Sequence, residues 1–212
     1  RKPISKPKAI NVENAAVPKK VLDMYDAALA LSMVGDHKAA VEQLKLAVAE
    51  FPAFMLAYTE MGVQYLRLNE LEKADEALQV ALKIRPDAYE PLVNRGIVMF
   101  RLKRFTEAET FLRSALKAKE QSAVAHFYLG RTFASQKQYD TAEREFNTAI
   151  KIGGDQMKEA HRMLASMFLD REDHKRALAE LEIYLKLAPR AADAEQLRGV
   201  VSELKALISQ KP

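Results

Sequence analysis

Four histidines and no cysteine set the outer limits on the chemistry open to this chain. Without cysteine there is no thiol nucleophile, no disulfide framework and no cysteine-ligated metal, and the redox compartment stays open. His126 and His161 stand 35 residues apart, and two imidazoles are the beginning of a metal site. Zinc demands a third protein ligand held in tetrahedral geometry, and no such residue stands at a matching spacing. The two histidines therefore read as partly buried helix packing. The run Asp170, Glu172, Asp173 and His174 is rich in oxygen ligands, yet it lacks the glycine and the alternating spacing of a calcium loop, so it reads as a solvated turn. A glycine-rich phosphate cradle, a His-Glu-x-x-His pair and a nucleophile elbow are all missing. The expectation is no catalytic residue, no metal, no cofactor and no enzymatic activity.

The elements that would position any site follow from composition. The chain has 212 residues, 49% hydrophobic and 29% charged, with seven glycines and eight prolines. That balance describes a folded chain, and so few turn formers exclude a barrel or sandwich of many short strands, leaving an all-helical class. Apolar runs such as Ala27 to Leu31 and Ala53 to Tyr58 are far too short to span a bilayer, so membrane insertion is not expected. Six basic residues against Glu13 occupy residues 1–20, while the remaining 192 residues hold 27 bases and 28 acids. The basic excess thus sits in a leader containing Pro3, Pro7 and Pro18 and no aromatic residue. Nucleic-acid binding calls for a basic stripe with interleaved aromatics on folded elements, and none is expected here. The leader reads as a linker or extended arm, and a start at Arg1 without methionine reads as a piece of a longer protein.

Self-comparison supplies the organising feature. Ala40, Ala74, Ala108, Ala142 and Ala177 are spaced by 34, 34, 34 and 35 residues. Four positions on come Leu44, Leu78, Leu112, Phe146 and Leu181, then three further Ala47, Ala81, Ala115, Ala149 and Tyr184. Twelve residues before each first alanine lies a small residue, Ala28, Gly62, Gly96, Gly130 or Ala165, followed three later by Leu31, Tyr65, Met99, Phe133 or Phe168. Each unit reads as two amphipathic helices, A and B, with B starting near Gly35-Asp36, Asn69-Glu70, Lys103-Arg104, Lys137-Gln138 and Glu172-Asp173. The small residue of helix A is expected to face the alanine early in helix B. The extra residue falls at 153–155, in an expected loose loop. Neither helix buries its stripe alone, so the units must stack, and the last needs a cover. Residues 191–212 supply it as a capping helix, with Leu197, Val200, Val201, Leu204, Leu207 and Ile208 at helical spacing.

This pattern resembles the tetratricopeptide repeat, a large residue, Leu-Gly and Tyr followed by Ala, an aromatic or Leu, Ala and a closing Pro. MGVQY at 61–65 and LGRTF at 129–133 carry the first half, and KADEALQVALKIRP at 73–86 carries the second. Departures are Arg95 before Gly96, His126 and His161 at the opening large position, and Tyr184 for the last alanine. The resemblance implies a right-handed α-α superhelical solenoid of about eleven helices, with five repeats over residues 21–190 (21–54, 55–88, 89–122, 123–157 and 158–190). The chain also resembles repeat tracts of bacterial cell-envelope proteins that follow a β-sandwich module, which implies an envelope or periplasmic location.

In related repeats the inner face of helix A lines a concave groove for a partner peptide. Carried onto this sequence, that face holds Tyr25, Leu29, Val63, Leu66, Val93, Ile97, Phe100, Phe127 and Arg131. The first four repeats present a mostly apolar groove and the fifth a polar one. A branch of the family clamps a chaperone's terminal carboxylate with lysine, arginine and asparagine. The matching positions here, Tyr25, Leu29, Glu60, Glu90 and Asn94, or one repeat later Thr59, Val63, Asn94, Val124 and Tyr128, build no such clamp, because an anion needs cationic donors. The expected function is a protein-interaction scaffold that seats a peptide or helix by apolar anchors. The alternative is a structural spacer whose groove is filled in cis by the leader or a neighbouring domain.

Overall fold

The computed structural model describes residues 17–210. Among these residues the chain forms eleven α-helices, one 3-10 turn and no strand, and it divides into two compact units that meet in sequence between Lys119 and Glu120. The first unit holds three helix pairs: α1 (Lys19–Met33) with α2 (His37–Glu50), α3 (Met55–Arg67) with α4 (Leu71–Ile84), and α5 (Tyr89–Arg101) with α6 (Phe105–Ala118). The second holds α7 (Ala123–Ser135) with α8 (Tyr139–Gly153), α9 (Lys158–Asp170) with α10 (His174–Leu187), and a last helix, α11 (Ala194–Ser209). Among the described residues no helix is long and apolar enough to cross a membrane. Helix α1 starts at Lys19, two residues before the expected first repeat, and the rest of the expected arm, residues 1–16, lies outside the described residues.

Every A–B connection is the same turn. Gly35, Asn69, Lys103, Lys137 and Glu172 all have positive φ, between 58° and 84°. Each donates its backbone N–H to the carbonyl three residues back, Ser32, Leu66, Phe100, Ala134 or Leu169, at 2.9–3.2 Å. The next residue, Asp36, Glu70, Arg104, Gln138 or Asp173, donates five residues back at 2.9–3.0 Å. This double closure satisfies the orphan carbonyls of helix A and reverses the chain in the fewest residues. Asp36 and Asp173 then accept from the N–H groups of Ala39 and Arg176 and cap the following helix. The acidic run at 170–174 is therefore the fifth copy of this turn.

The recurrent residues make the core. All five early alanines of helix B are buried, as are Leu44, Leu78, Leu112, Phe146 and Leu181. The nearest neighbours of the helix-A glycines are these large residues: a Cβ on Gly62, Gly96 or Gly130 would lie 2.5, 2.6 or 2.7 Å from Leu78, Leu112 or Phe146. A side chain four residues beyond the alanine leans back toward the helix N-terminus, which brings it over helix A. The extra residue near 153 falls in an exposed segment anchored at Gly153 and Met157. It is absorbed by the 3-10 turn Gly154–Met157, where a Cβ on Gly153 would sit 2.7 Å from Met157 and 3.0 Å from Ala123.

Helix α11 packs on α10, burying Ala194 and Leu204 and half-burying Leu197, Val200, Val201 and Ile208, whereas Leu207 stays exposed. Tyr184 fills the space opened before it. Its buried ring replaces the usual alanine, and its phenol donates to Asp193 Oδ1 at 3.3 Å, immediately before α11. Arg162 of α9 donates to the other Asp193 oxygen at 3.4 Å.

Candidate interaction surface

The departures from the repeat pattern are the first places to look for chemistry, and each is occupied structurally. Arg95 donates to Asp75 at 2.6 Å, and its guanidinium lies 4.4 Å from the centre of the Phe111 ring. The charge is thereby paired and the planar group stacked on an aromatic face. His126 Nδ1 is 2.6 Å from Glu145 Oε2, and His161 Nδ1 is 2.6 Å from Glu180 Oε2. Both pairs bridge helix A to helix B of one repeat, with side chains only 11–20% exposed. Each imidazole is thus brought to a carboxylate within its own repeat. Among the described residues no three His, Asp or Glu side chains converge where a metal could sit. The sequence held a signal for these pairs, since the spacing of 19 recurs, while the equivalent positions in the second and third repeats are the apolar pairs Tyr58–Ala77 and Leu92–Phe111.

In the first unit the residues assigned to the inner face lie at graded depth. Val93 is 6% exposed and belongs to the core, whereas Tyr25, Leu29, Val63, Leu66, Ile97 and Phe100 are half-buried. Tyr25 stands edge-on to Phe54 at 5.3 Å, and Phe100 tilts against Phe105 at 5.9 Å. Leu29, Val63 and Ile97 hold one repeat position in α1, α3 and α5, which makes a row of aliphatic side chains. At the start of the helices Leu22 and Leu56 are 42% and 47% exposed. Asp26 and Glu90 are exposed and Glu60 half-buried on the same helices. Burial first, then the Glu60 and Asp26 carboxylates, push the Tyr25 phenol above its ordinary range.

A polar network that no motif signalled ties α1, α2 and α3 together. The Gln64 side chain is buried; its amide nitrogen donates to Ser32 Oγ at 2.8 Å and to the Glu60 carboxylate, and its oxygen meets His37 Nδ1 at 2.8 Å. A buried amide has to find partners, and these hold the first two helix pairs in register.

In the second unit Phe127 is half-buried, 5.4 Å from Tyr128 and 5.9 Å from the core ring of Phe146. Phe127 therefore belongs both to the surface and to the packing beneath it. The Arg131 guanidinium lies 5.7 and 5.3 Å from the Phe127 and Tyr128 rings. Arg162 is held by Glu159 at 3.0 Å and by Asp193. This face carries aromatic rings with arginines, whereas that of the first unit carries aliphatic and aromatic side chains with carboxylates.

Comparison with known proteins agrees with this architecture. Two family descriptions, both of the tetratricopeptide repeat, match residues 59–123 and 99–167. Anaphase-promoting complex subunit 3 of Schizosaccharomyces pombe is 24% identical over 170 residues, and the chain spans a quarter of its length. Among solved structures, a chain of the APC/C hetero-tetramer Cut9-Hcn1 superposes with a TM-score of 0.77 at 20% identity, covering 87% of this chain and 36% of that one. YrrB, a TPR protein with an unusual peptide-binding site, superposes with a TM-score of 0.64 at 19% identity, covering 87% of this chain and 98% of that one.

Proposed function

The chain belongs to the tetratricopeptide-repeat proteins, whose fold serves in general as a protein-interaction scaffold, and on that premise we propose that it seats a peptide or helix by apolar anchors on the inner helix faces. The observation that carries this reading is the row Leu29, Val63 and Ile97, one residue per repeat, each only half-buried. Aliphatic positions repeating at this interval outside a closed core match a ligand that offers large side chains at regular steps. Tyr25, Leu66 and Phe100 flank the row in the first unit, and Phe127 with Arg131 supplies the corresponding surface of the second. The peptide-binding site of the similarly folded YrrB makes a peptide a reasonable ligand class. A chaperone's terminal carboxylate is not the favoured ligand, because Glu60 and Glu90 stand where cationic donors would be needed.

The test is selection of displayed peptides on the full chain, followed by photo-crosslinking from a benzoylphenylalanine placed at Val63 or at the exposed Gln79 of α4. Crosslinks from position 63 and none from 79 are expected. The reverse pattern would show that ligands bind the outer helices and would overturn the reading.

A further inference from the structure

The inner face of the first unit is not neutral: Glu90 lies in the first turn of α5, where the helix dipole favours a carboxylate, but the mid-helix acids have no local explanation. Asp26 and Glu60 occupy the same repeat position in α1 and α3, in mid-helix, where the helix dipole has little to offer a carboxylate. Four residues on stand Ala30 and Gln64, so neither acid has a helical ion-pair partner there. Asp26 and the exposed Glu90 of α5 make no ion pair among the described residues, and Glu60 accepts only the Gln64 amide. Lys20 is engaged with Glu50, Arg95 with Asp75, and Arg101 with the Leu66 carbonyl and Asn69, while the exposed Arg67 lies two helical turns beyond Glu60 on α3. Asp26 directly follows Tyr25 and stands three residues before Leu29, and Glu60 stands three residues before Val63, so both acids lie on the helices that carry the apolar row. A face with aliphatic and aromatic anchors beside uncompensated carboxylates attracts cations and repels anions.

From this juxtaposition we infer that the first unit selects a cationic apolar peptide of another protein, one in which lysine or arginine alternates with large aliphatic residues. The inference rests on the proposed peptide-binding reading and adds the chemistry of the ligand. Apolar side chains of the peptide lie on Leu29, Val63 and Ile97, while its ammonium or guanidinium groups meet Asp26, Glu60 and Glu90. The same composition occurs in residues 1–16 of this chain, where Arg1, Lys2, Lys6 and Lys8 accompany Ile4, Ile10 and Val12. Occupation in cis is therefore the rival that the experiment has to separate.

Fluorescence anisotropy on the full chain measures three labelled peptides of one length, with leucine alternating with lysine, serine or glutamate. The lysine peptide is expected to bind about tenfold more tightly than the serine peptide, with the glutamate peptide weakest, and to weaken strongly between low and high salt as the charges are screened. Asp26→Asn with Glu90→Gln, which leaves the Gln64 network untouched, should weaken the lysine peptide by about fivefold and leave the serine peptide unchanged. Equal affinity for all three, unaffected by this double substitution but lost on Val63→Glu, overturns the charge preference and leaves the binding reading standing. Failure of all three peptides to bind overturns both. If the lysine peptide binds only after Lys2, Lys6 and Lys8 are replaced by glutamine, the leader is the occupant and the assignment to a separate partner fails.

Discussion

Gly130 approaches Phe146 so closely that a Cβ on the glycine would stand 2.7 Å from two atoms of the phenyl ring. The same closeness recurs at Gly62 with Leu78 and at Gly96 with Leu112, so in the three middle repeats the large helix-B residue occupies the space that a Cβ on helix A would take. Glycine in mid-helix otherwise costs about 1 kcal/mol relative to alanine. Gly199 of α11 has open space where a Cβ would stand, with nothing within 4 Å, and makes the natural control. Gly96→Ala is expected to lower stability by roughly 1–3 kcal/mol through overpacking. Gly199→Ala should raise it by roughly 0.5–1 kcal/mol. Urea denaturation measures both, and a stabilising Gly96→Ala would refute the packing assigned to the helix pairs.

The repeated turn makes a prediction of opposite sign. Lys103, Lys137 and Glu172 adopt left-handed φ of 58–60° at the position held by Gly35 in the first repeat. A side chain there costs roughly 1 kcal/mol against glycine. Lys103→Gly and Lys137→Gly should each raise the urea midpoint by an amount equivalent to about 0.5–1 kcal/mol, although both remove a lysine from an exposed site. A loss of stability on both changes would mean that the lysine side chains make contacts that outweigh the backbone strain.

The histidine–glutamate bridges separate a structural role from a chemical one. Glu180→Leu leaves the His161 imidazole largely buried without its partner, at an expected cost of about 1–3 kcal/mol. Replacing both residues by leucine should recover much of that loss, because no polar group is then stranded. A double-mutant cycle read by thermal melting checks this, and strictly additive costs would show that the two side chains do not interact.

Alkaline pH tests the junction with the last helix. Burial first, then the carboxylates of Glu159 and Asp193, push the Tyr184 phenol above its usual value. The folded chain keeps a proton that the unfolded chain releases above about pH 10. The stability linked to this group is therefore complete below the ordinary phenol range and is lost as pH rises through the raised folded value. The urea midpoint should fall between about pH 9 and pH 11.5 less steeply in Tyr184→Phe than in the parent, since only the phenol differs. Parallel curves would remove Tyr184 from the linkage and leave the other groups shifted in the same direction, Tyr25, Lys45 and Lys73, as its sources.

Removal of residues 191–212 uncovers Leu181 and Tyr184, both buried beside α11 in the intact chain. The shortened protein should self-associate or precipitate, because a terminal repeat without a polar outer face exposes a continuous apolar surface. Sedimentation reads the outcome, and a soluble monomer with the parent's melting temperature would deny α11 its capping role.

The sequence by itself determined the helix pairs, their interval and their turns. Ala40, Ala74, Ala108, Ala142 and Ala177 recur at positions that are all fully buried, and a demand for small size of that kind is written one residue at a time. The turns were legible for a similar reason at Gly35 and Asn69, whose types tolerate positive φ. At Lys103, Lys137 and Glu172 residue type gave no hint, and only the repeat register located them. Tertiary structure alone decided what depends on side-chain direction and on distances between helices. It set the helix-A glycines against Leu78, Leu112 and Phe146, absorbed the one-residue insertion in the 3-10 turn Gly154–Met157, and sank Val93 into the core while leaving Leu29, Val63 and Ile97 half-buried. It also gave Gln64 partners on three helices and paired each of His126 and His161 with a glutamate 19 residues away. Such contacts depend on the angle and separation at which helices meet, which a linear pattern of residue types does not encode.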